Sequence, residues 1–211
     1  MIDLHIHTNK SDGKYSVAQI LKMANEIGLN TISFCDHNVL GAYEELNNFD
    51  YKKIWDGKII SGIEMDFVFK KVKFHMLGYN FDINKLNKSK HIDRRNEEEL
   101  IQAEEKNLEF FKRVCKKLNI KLSDNLKIIS SNHPANDIIK EDMKLHKEND
   151  IILDELLGKN REKSFFRGHV TNPESPFYID FTKDLPSPIE IANEIHKAGG
   201  IVVLPHVFEY K

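Results

Sequence analysis

The chain has 211 residues, 40% hydrophobic and 30% charged. This is a globular composition, long enough to bury a sizeable core, and no apolar run approaches the roughly 20 residues of a membrane span. Lysine and arginine number 31 against 33 acidic residues, a net charge of −2, so no global basic excess advertises nucleic acid. Two cysteines exclude a disulfide framework, and with Asp3, His5 and His7 where a signal peptide would be apolar, the chain reads as cytoplasmic.

Residues 2–7 alternate with period two and predict a strand. Ser16 with Gln19 three residues on forms a capping box for a helix that Gly28 stops. Residues 31–35 are a short buried strand, and a short helix is expected around 40–46. A third strand spans 58–64, and 66–79, rich in Phe and Val, is a further strand or hairpin. The longest helical pattern covers 93–118, with Asp93 as its cap. Beyond it, 123–165 is polar, with helices around 135–147 and 150–157. Residues 169–186 suit a loop with one short strand at 177–179. Ser187, Pro188 and Glu190 open a last helix that ends at Gly199-Gly200, and 201–204 is a buried strand. Alternating strands and helices predict an α/β fold with a mostly parallel sheet, whose site lies at the carboxyl ends of its strands.

Those strand ends carry metal-type ligands. His5 and His7, two apart on a strand, point to one face and can reach one ion. Asp12 follows in the loop. The later strands end in Cys35-Asp36-His37 and Gly62-Ile63-Glu64, carry His75, and end in Leu204-Pro205-His206. Imidazole with carboxylate suits zinc, manganese or iron, whereas magnesium and calcium favour oxygen alone. Glu64 is the best bridging candidate, because a carboxylate spans two ions and a neutral imidazole does not. His91, His133, His146 and His196 show no partner pattern and read as structural or solvated; His169 is ambiguous. Two or three ions held mainly by neutral histidines keep a positive charge that favours an anionic substrate and lowers the pKa of water. The residues thus read as a multinuclear metal hydrolase of phosphate esters, with carbonyl attack as the rival chemistry.

Asp3-Leu4-His5-Ile6-His7-Thr8, Ser11-Asp12-Gly13, Asp36-His37-Asn38 and Gly62-Ile63-Glu64 resemble the successive signatures of the polymerase-and-histidinol-phosphatase (PHP) metallohydrolases. His75 and Gly199-Gly200…Leu204-Pro205-His206 resemble two later ones. The resemblance implies a distorted (β/α)7 TIM-like barrel with two to three divalent ions (Zn, Mn or Fe). His5, His7 and Glu64 would hold the first ion, Asp12 and His37 the second, and Glu64, His75 and His206 the third. It places the catalytic roles on Glu64 and His206. It also offers Arg94 and Arg95, with Arg167 as a further candidate, for the substrate phosphate. The implied substrate is a small phosphate monoester, nucleotide or short oligonucleotide. Histidinol phosphate, or a degenerate metal-binding module with little activity, are the alternatives. The family's late Asp-x-His is absent after His206, and Asp180 and Asp184 are conceivable substitutes. The expectation is therefore a single domain over 1–211 with a helical insertion at about 82–165 and its last βα units missing. That leaves an exposed apolar edge beside 201–205, which favours a homo-oligomer or a completing partner.

Overall fold

The computed structural model describes residues 1–159 and 163–209. Residues 160–162 of the polar stretch and the terminal 210–211 lie outside the described residues, as do the parts of the expected insertion and domain that fall on them. The chain divides into two compact units, one comprising 1–94 with 182–211 and the other 95–181.

The first unit contains two three-stranded sheets. Strands β1 (Ile2–Ile6), β2 (Thr31–Phe34) and β3 (Lys58–Ile59) are parallel, in the order β1-β2-β3. Strands β4 (Gly62–Phe69), β5 (Val72–Tyr79) and β6 (Ile201–Val203) are antiparallel, in the order β4-β5-β6. One parallel bridge, His37 to Glu64, runs from the end of β2 to β4.

Two expectations change here. The sheet is not mostly parallel: β4 and β5 meet in a hairpin whose two turn residues, Lys70 (φ 49°) and Lys71 (φ 65°), are left-handed, and so tight a link joins only antiparallel neighbours. The strand expected over 58–64 is two strands in different sheets. Gly62 marks the transition, since a Cβ there would lie 2.0 Å from Ser33 Oγ. Tyr43 closes the junction, its hydroxyl accepting from Gly62 N at 2.6 Å and donating to Phe34 O at 2.9 Å.

Helix α1 (Val17–Glu26) starts with the Ser16–Gln19 capping box, and α2 (Gly41–Leu46) follows β2. A short α3 (Ile83–Leu86) precedes the second unit, and Leu86 and Ile92 remain in the core of the first. That core includes Leu21, Ile32, Phe34, Ile63, Met65, Trp55 and Ile195.

The second unit is helical: α4 (Glu97–Lys117), α5 (Ala135–Met143), α6 (Asp150–Leu157) and a π-helical turn at Phe166–Val170. The cap of α4 is Asn96, boxed with Glu99, rather than Asp93, whose amide donates to Asn38 O at 2.7 Å. The strand expected at 177–179 does not form: Phe177 ends a turn, 178–179 are irregular, and Phe177 is fully buried against Phe111 and Phe165 in a separate core. Back in the first unit, α7 (Pro188–Lys197) carries the Ser187–Glu190 box and leads into β6. The strand expected to be buried over 201–204 is instead largely exposed: it pairs only with β5 among the described strands, and Ile201, Val203 and Leu204 face out, in keeping with the exposed apolar edge expected beside 201–205.

Candidate metal centre

The site forms where β1, β2, β4 and β5 present their polar residues. His5 is in β1, and His7 follows it. A tight turn then brings Asp12 back: Ser11 N and Gly13 N both donate to Thr8 O. A Cβ on Gly13 would sit 2.3 Å from His7 O, so only glycine fits this close return. Asp36 fixes the turn from below. It is buried, and accepts from Thr8 N (2.7 Å), Thr8 Oγ1 (2.7 Å) and Ser11 Oγ (2.6 Å). Asp36 therefore holds the loop, while its neighbour His37 reaches the site.

Glu64, 1% exposed, is the centre of the arrangement. Its Oε2 lies 3.0 Å from His5 Nε2, 3.1 Å from His7 Nε2 and 3.6 Å from His37 Nε2. Its Oε1 lies 3.1 Å from His75 Nδ1 and 2.9 Å from His206 Nε2. One carboxylate thus faces five imidazoles, three on one oxygen and two on the other. Asp12 joins from the rim, 3.0 Å from His7 Nδ1 and 3.7 Å from His37 Nε2. His206 reaches Glu64 from a left-handed backbone (φ 31°) just after β6.

Among the described residues, four groups of ligand atoms lie close enough to share an ion: His5-His7-Glu64, His7-Asp12-His37, His37-Asp66-His75 and Glu64-His75-His206. The structure brings together all seven metal-type residues proposed from sequence. It adds Asp66, which sequence reasoning missed although the period-two rule applied to His5 and His7 places it on the face of Glu64.

The donor set suits a divalent cation. The Nε2 atoms of His5 and His7 are 3.1 Å apart, a distance at which two N–H groups cannot point at each other, so at least one ring presents a lone pair. His37 Nδ1 and Asp66 Oδ1 are buried without a closed hydrogen bond. Protonation shows the same demand for positive charge. Burial lowers the affinity of His7 for a proton, but Asp12 and Glu64 outweigh it and push its pKa up to about 10. The hydrogen bond from His7, against burial and with His37 nearby, holds Asp12 down to about 2. Burial would raise Glu64, but its imidazole partners keep it far below the usual carboxylate range.

Arg94 donates to the carbonyls of Ile92, Ser89 and Asn87, gathering its own loop. Arg95 and Arg167 belong to the helical unit, as does Asp180, and Asp184 joins none of the four groups among the described residues.

A PHP domain profile matches residues 3–159. A 5'-3' exoribonuclease of Haemophilus influenzae is 24% identical over 99% of this chain and 69% of its own length. The 5'-3' exoribonuclease Rnm of Salmonella typhimurium is 28% identical over 38% of this chain and 28% of its own. Among solved structures, a Bifidobacterium adolescentis protein provisionally described as a metal-dependent phosphoesterase has a TM-score of 0.57 at 21% identity, covering 97% of this chain and 66% of that one. An amidohydrolase from Chromobacterium violaceum, solved with bound sulfate and no metal, has a TM-score of 0.60 at 16% identity, covering 98% of this chain and 67% of that one. The chain spans about two-thirds or less of the length of these relatives. The structural likenesses, at these identities, show a shared α/β fold.

Proposed function

The chain belongs to the PHP-domain family of phosphoester hydrolases, and from that premise we propose that it cleaves a phosphate ester of a nucleotide or short oligonucleotide at the Glu64 centre. The observation that carries the reading is one buried carboxylate met by five imidazoles. The nucleic-acid preference draws support from the relatives named as exoribonucleases.

In this proposal His5, His7 and Glu64 hold one ion, Asp12 and His37 a second, and Glu64, His75 and His206 a third, drawn from zinc, manganese or iron. Such ions supply charge neutralisation at a phosphoryl oxygen and a low-pKa water. The protein residues do the placing. Glu64 divides its two oxygens between two sets of rings, and Asp36 holds the 8–13 turn so that Asp12 faces His37. Arg94, Arg95 and Arg167 are the candidates for the substrate phosphate, Arg94 with its Nη donors already engaged on carbonyls.

As part of the same proposal, the two sheets are segments of one distorted (β/α)7 barrel joined at the His37–Glu64 bridge. The 95–181 unit is then an insertion in a single PHP-type domain over 1–211. The exposed edge of β6 is offered to a second copy or a partner. Both cysteines are free and buried, which suits a reducing cytoplasm. No helix among the described residues is long and apolar enough to cross a membrane.

The test is hydrolysis by the manganese-loaded protein of three substrates: a 5'-phosphorylated oligoribonucleotide, histidinol phosphate and an aryl phosphate. Release of mononucleotides as the fastest reaction supports the proposal. Preference for histidinol phosphate overturns the substrate assignment, and bound metal with no turnover on any of them overturns the hydrolase reading in favour of a metal-binding module.

A further inference from the structure

We propose that Asp66 is a positioning residue: a single carboxylate that fixes which nitrogen of both His37 and His75 faces the metal centre. The inference rests on the metal-centre reading of Glu64. Glu64 and Asp66 are two apart on β4, and Asp66 pairs directly across the hairpin with His75. The side chain is only 11% exposed, and its oxygens have separate tasks.

Oδ2 is pinned. Lys73 Nζ lies 2.7 Å away, and Asn38 Nδ2 donates at 2.9 Å. Asn38 returns the contact by accepting from Asp66 N at 2.9 Å, while its own amide donates to Glu64 O at 2.8 Å. The left-handed backbone of Asn38 (φ 56°), a conformation asparagine tolerates better than most residues, turns the chain so that it can reach both. With Oδ2 held, Oδ1 has one direction left. It stands between His75 Nε2 at 3.4 Å and His37 Nδ1 at 3.7 Å.

The opposite nitrogens of these two rings face the centre. His75 Nδ1 is 3.1 Å from Glu64 Oε1, and His37 Nε2 is 3.6 Å from Glu64 Oε2 and 3.7 Å from Asp12 Oδ2. A neutral imidazole has one N–H and one lone pair, and a carboxylate only accepts. An ionised Asp66 therefore favours N–H at His75 Nε2 and His37 Nδ1, and leaves the lone pairs at His75 Nδ1 and His37 Nε2 for a cation. Carboxylates that orient ligating histidines in this way are worth roughly 10–100-fold in metal affinity.

The same atoms are spaced closely enough to hold an ion themselves. Two features argue against that use. The Lys73 ammonium already balances Asp66, and would repel a cation on Oδ1. A ring also cannot ligate through both nitrogens while neutral, so an ion beside Asp66 would take His37 and His75 away from Glu64.

The test combines zinc titration with long-range 15N NMR of the imidazoles in the zinc-loaded protein, for the wild type and Asp66→Asn. Circular dichroism confirms that the variant is folded. The wild type needs no substitution to be informative: ligation through His37 Nε2 and His75 Nδ1 is expected, with N–H on the other nitrogens. In Asp66→Asn, zinc affinity should fall roughly 10–100-fold, with loss of that uniform ligation. The proposal is overturned if the wild type ligates through the opposite nitrogens. It is equally overturned if the variant keeps both affinity and ligation, or loses a bound ion with the ligation otherwise unchanged, which would make Asp66 a ligand. A wild type that takes up no zinc removes the metal-centre reading itself, and this inference with it.

Discussion

In the sheet unit five imidazoles converge on Glu64, whereas in the helical unit each histidine closes on a partner of its own. His133 pairs with Glu141 at 3.1 Å, and His146 lies 3.5 Å from Asp142. His169 spans Leu156 O at 2.7 Å and Ser175 Oγ at 3.3 Å. The helical core is mainly aliphatic around an aromatic cluster, with Phe111, Phe165 and Phe177 packed at ring separations of 5.1 to 6.4 Å. A helix surface gives each histidine its own neighbourhood. Paired strands and the loops that follow them bring distant residues to one point, with Glu64 and His75 inside β4 and β5 rather than at the carboxyl ends expected from sequence, and so the chemistry gathers in the sheet unit.

The sharpest way to test that division is to damage the helical core alone. Phe111→Ala removes a buried ring and should cost about 3–5 kcal/mol in thermal or denaturant unfolding. Zinc bound per folded chain should not change. A loss of zinc from the folded variant would break the separation.

An effect of next size is the pH dependence of zinc binding. His7 keeps its proton up to about 10 in the ion-free protein, so zinc must displace it below that pH. Affinity should rise roughly tenfold per pH unit for each proton displaced, with proton release visible by calorimetry in buffers of different ionisation enthalpy. For the ion-free protein the signs follow the same pairs. The raised His7 stabilises the fold below its ordinary value of 6.5, and that contribution is lost as pH rises through about 10. Asp12 and Asp66 stabilise above 3.8, and their contributions are lost as pH falls through about 2. For Asp66 burial alone would act the other way, but His37, Lys73 and Asn38 outweigh it. A melting temperature of chelated protein that is highest at pH 3 would contradict this.

The smallest effects are local. Ser16→Ala and Asn96→Ala each remove one capping box, in different units, and should each cost about 1 kcal/mol by denaturant midpoint. Neither should alter zinc stoichiometry.

Much of this was legible in the residues because it depends on short-range rules. The period of two identified β1 and the shared face of His5 and His7, and the Ser16 and Ser187 boxes located α1 and α7. What stayed hidden depends on tertiary contact. Gly62 splits one apolar run into two sheets only because Ser33 and Cys35 pack against it. Asn96 caps α4 in place of Asp93 because the helix begins only at Glu97, after a segment in which the Asp93 amide is tied to Asn38 O. Arg94 reads as a phosphate fork, yet its donors close on the carbonyls of a loop whose course the sequence does not show. Asp66 was within reach of the alternation rule, and was obscured by the Phe and Val around it.

The central claim is that Glu64 is the carboxylate on which the metal centre depends. The most direct measurement is metal content per chain, by mass spectrometry on protein purified without chelator, for the wild type and Glu64→Gln side by side. The account predicts two to three divalent ions in the wild type and a collapse of that content in a folded Glu64→Gln. Equal metal content in the two proteins, or none in the wild type after incubation with zinc or manganese, would contradict it.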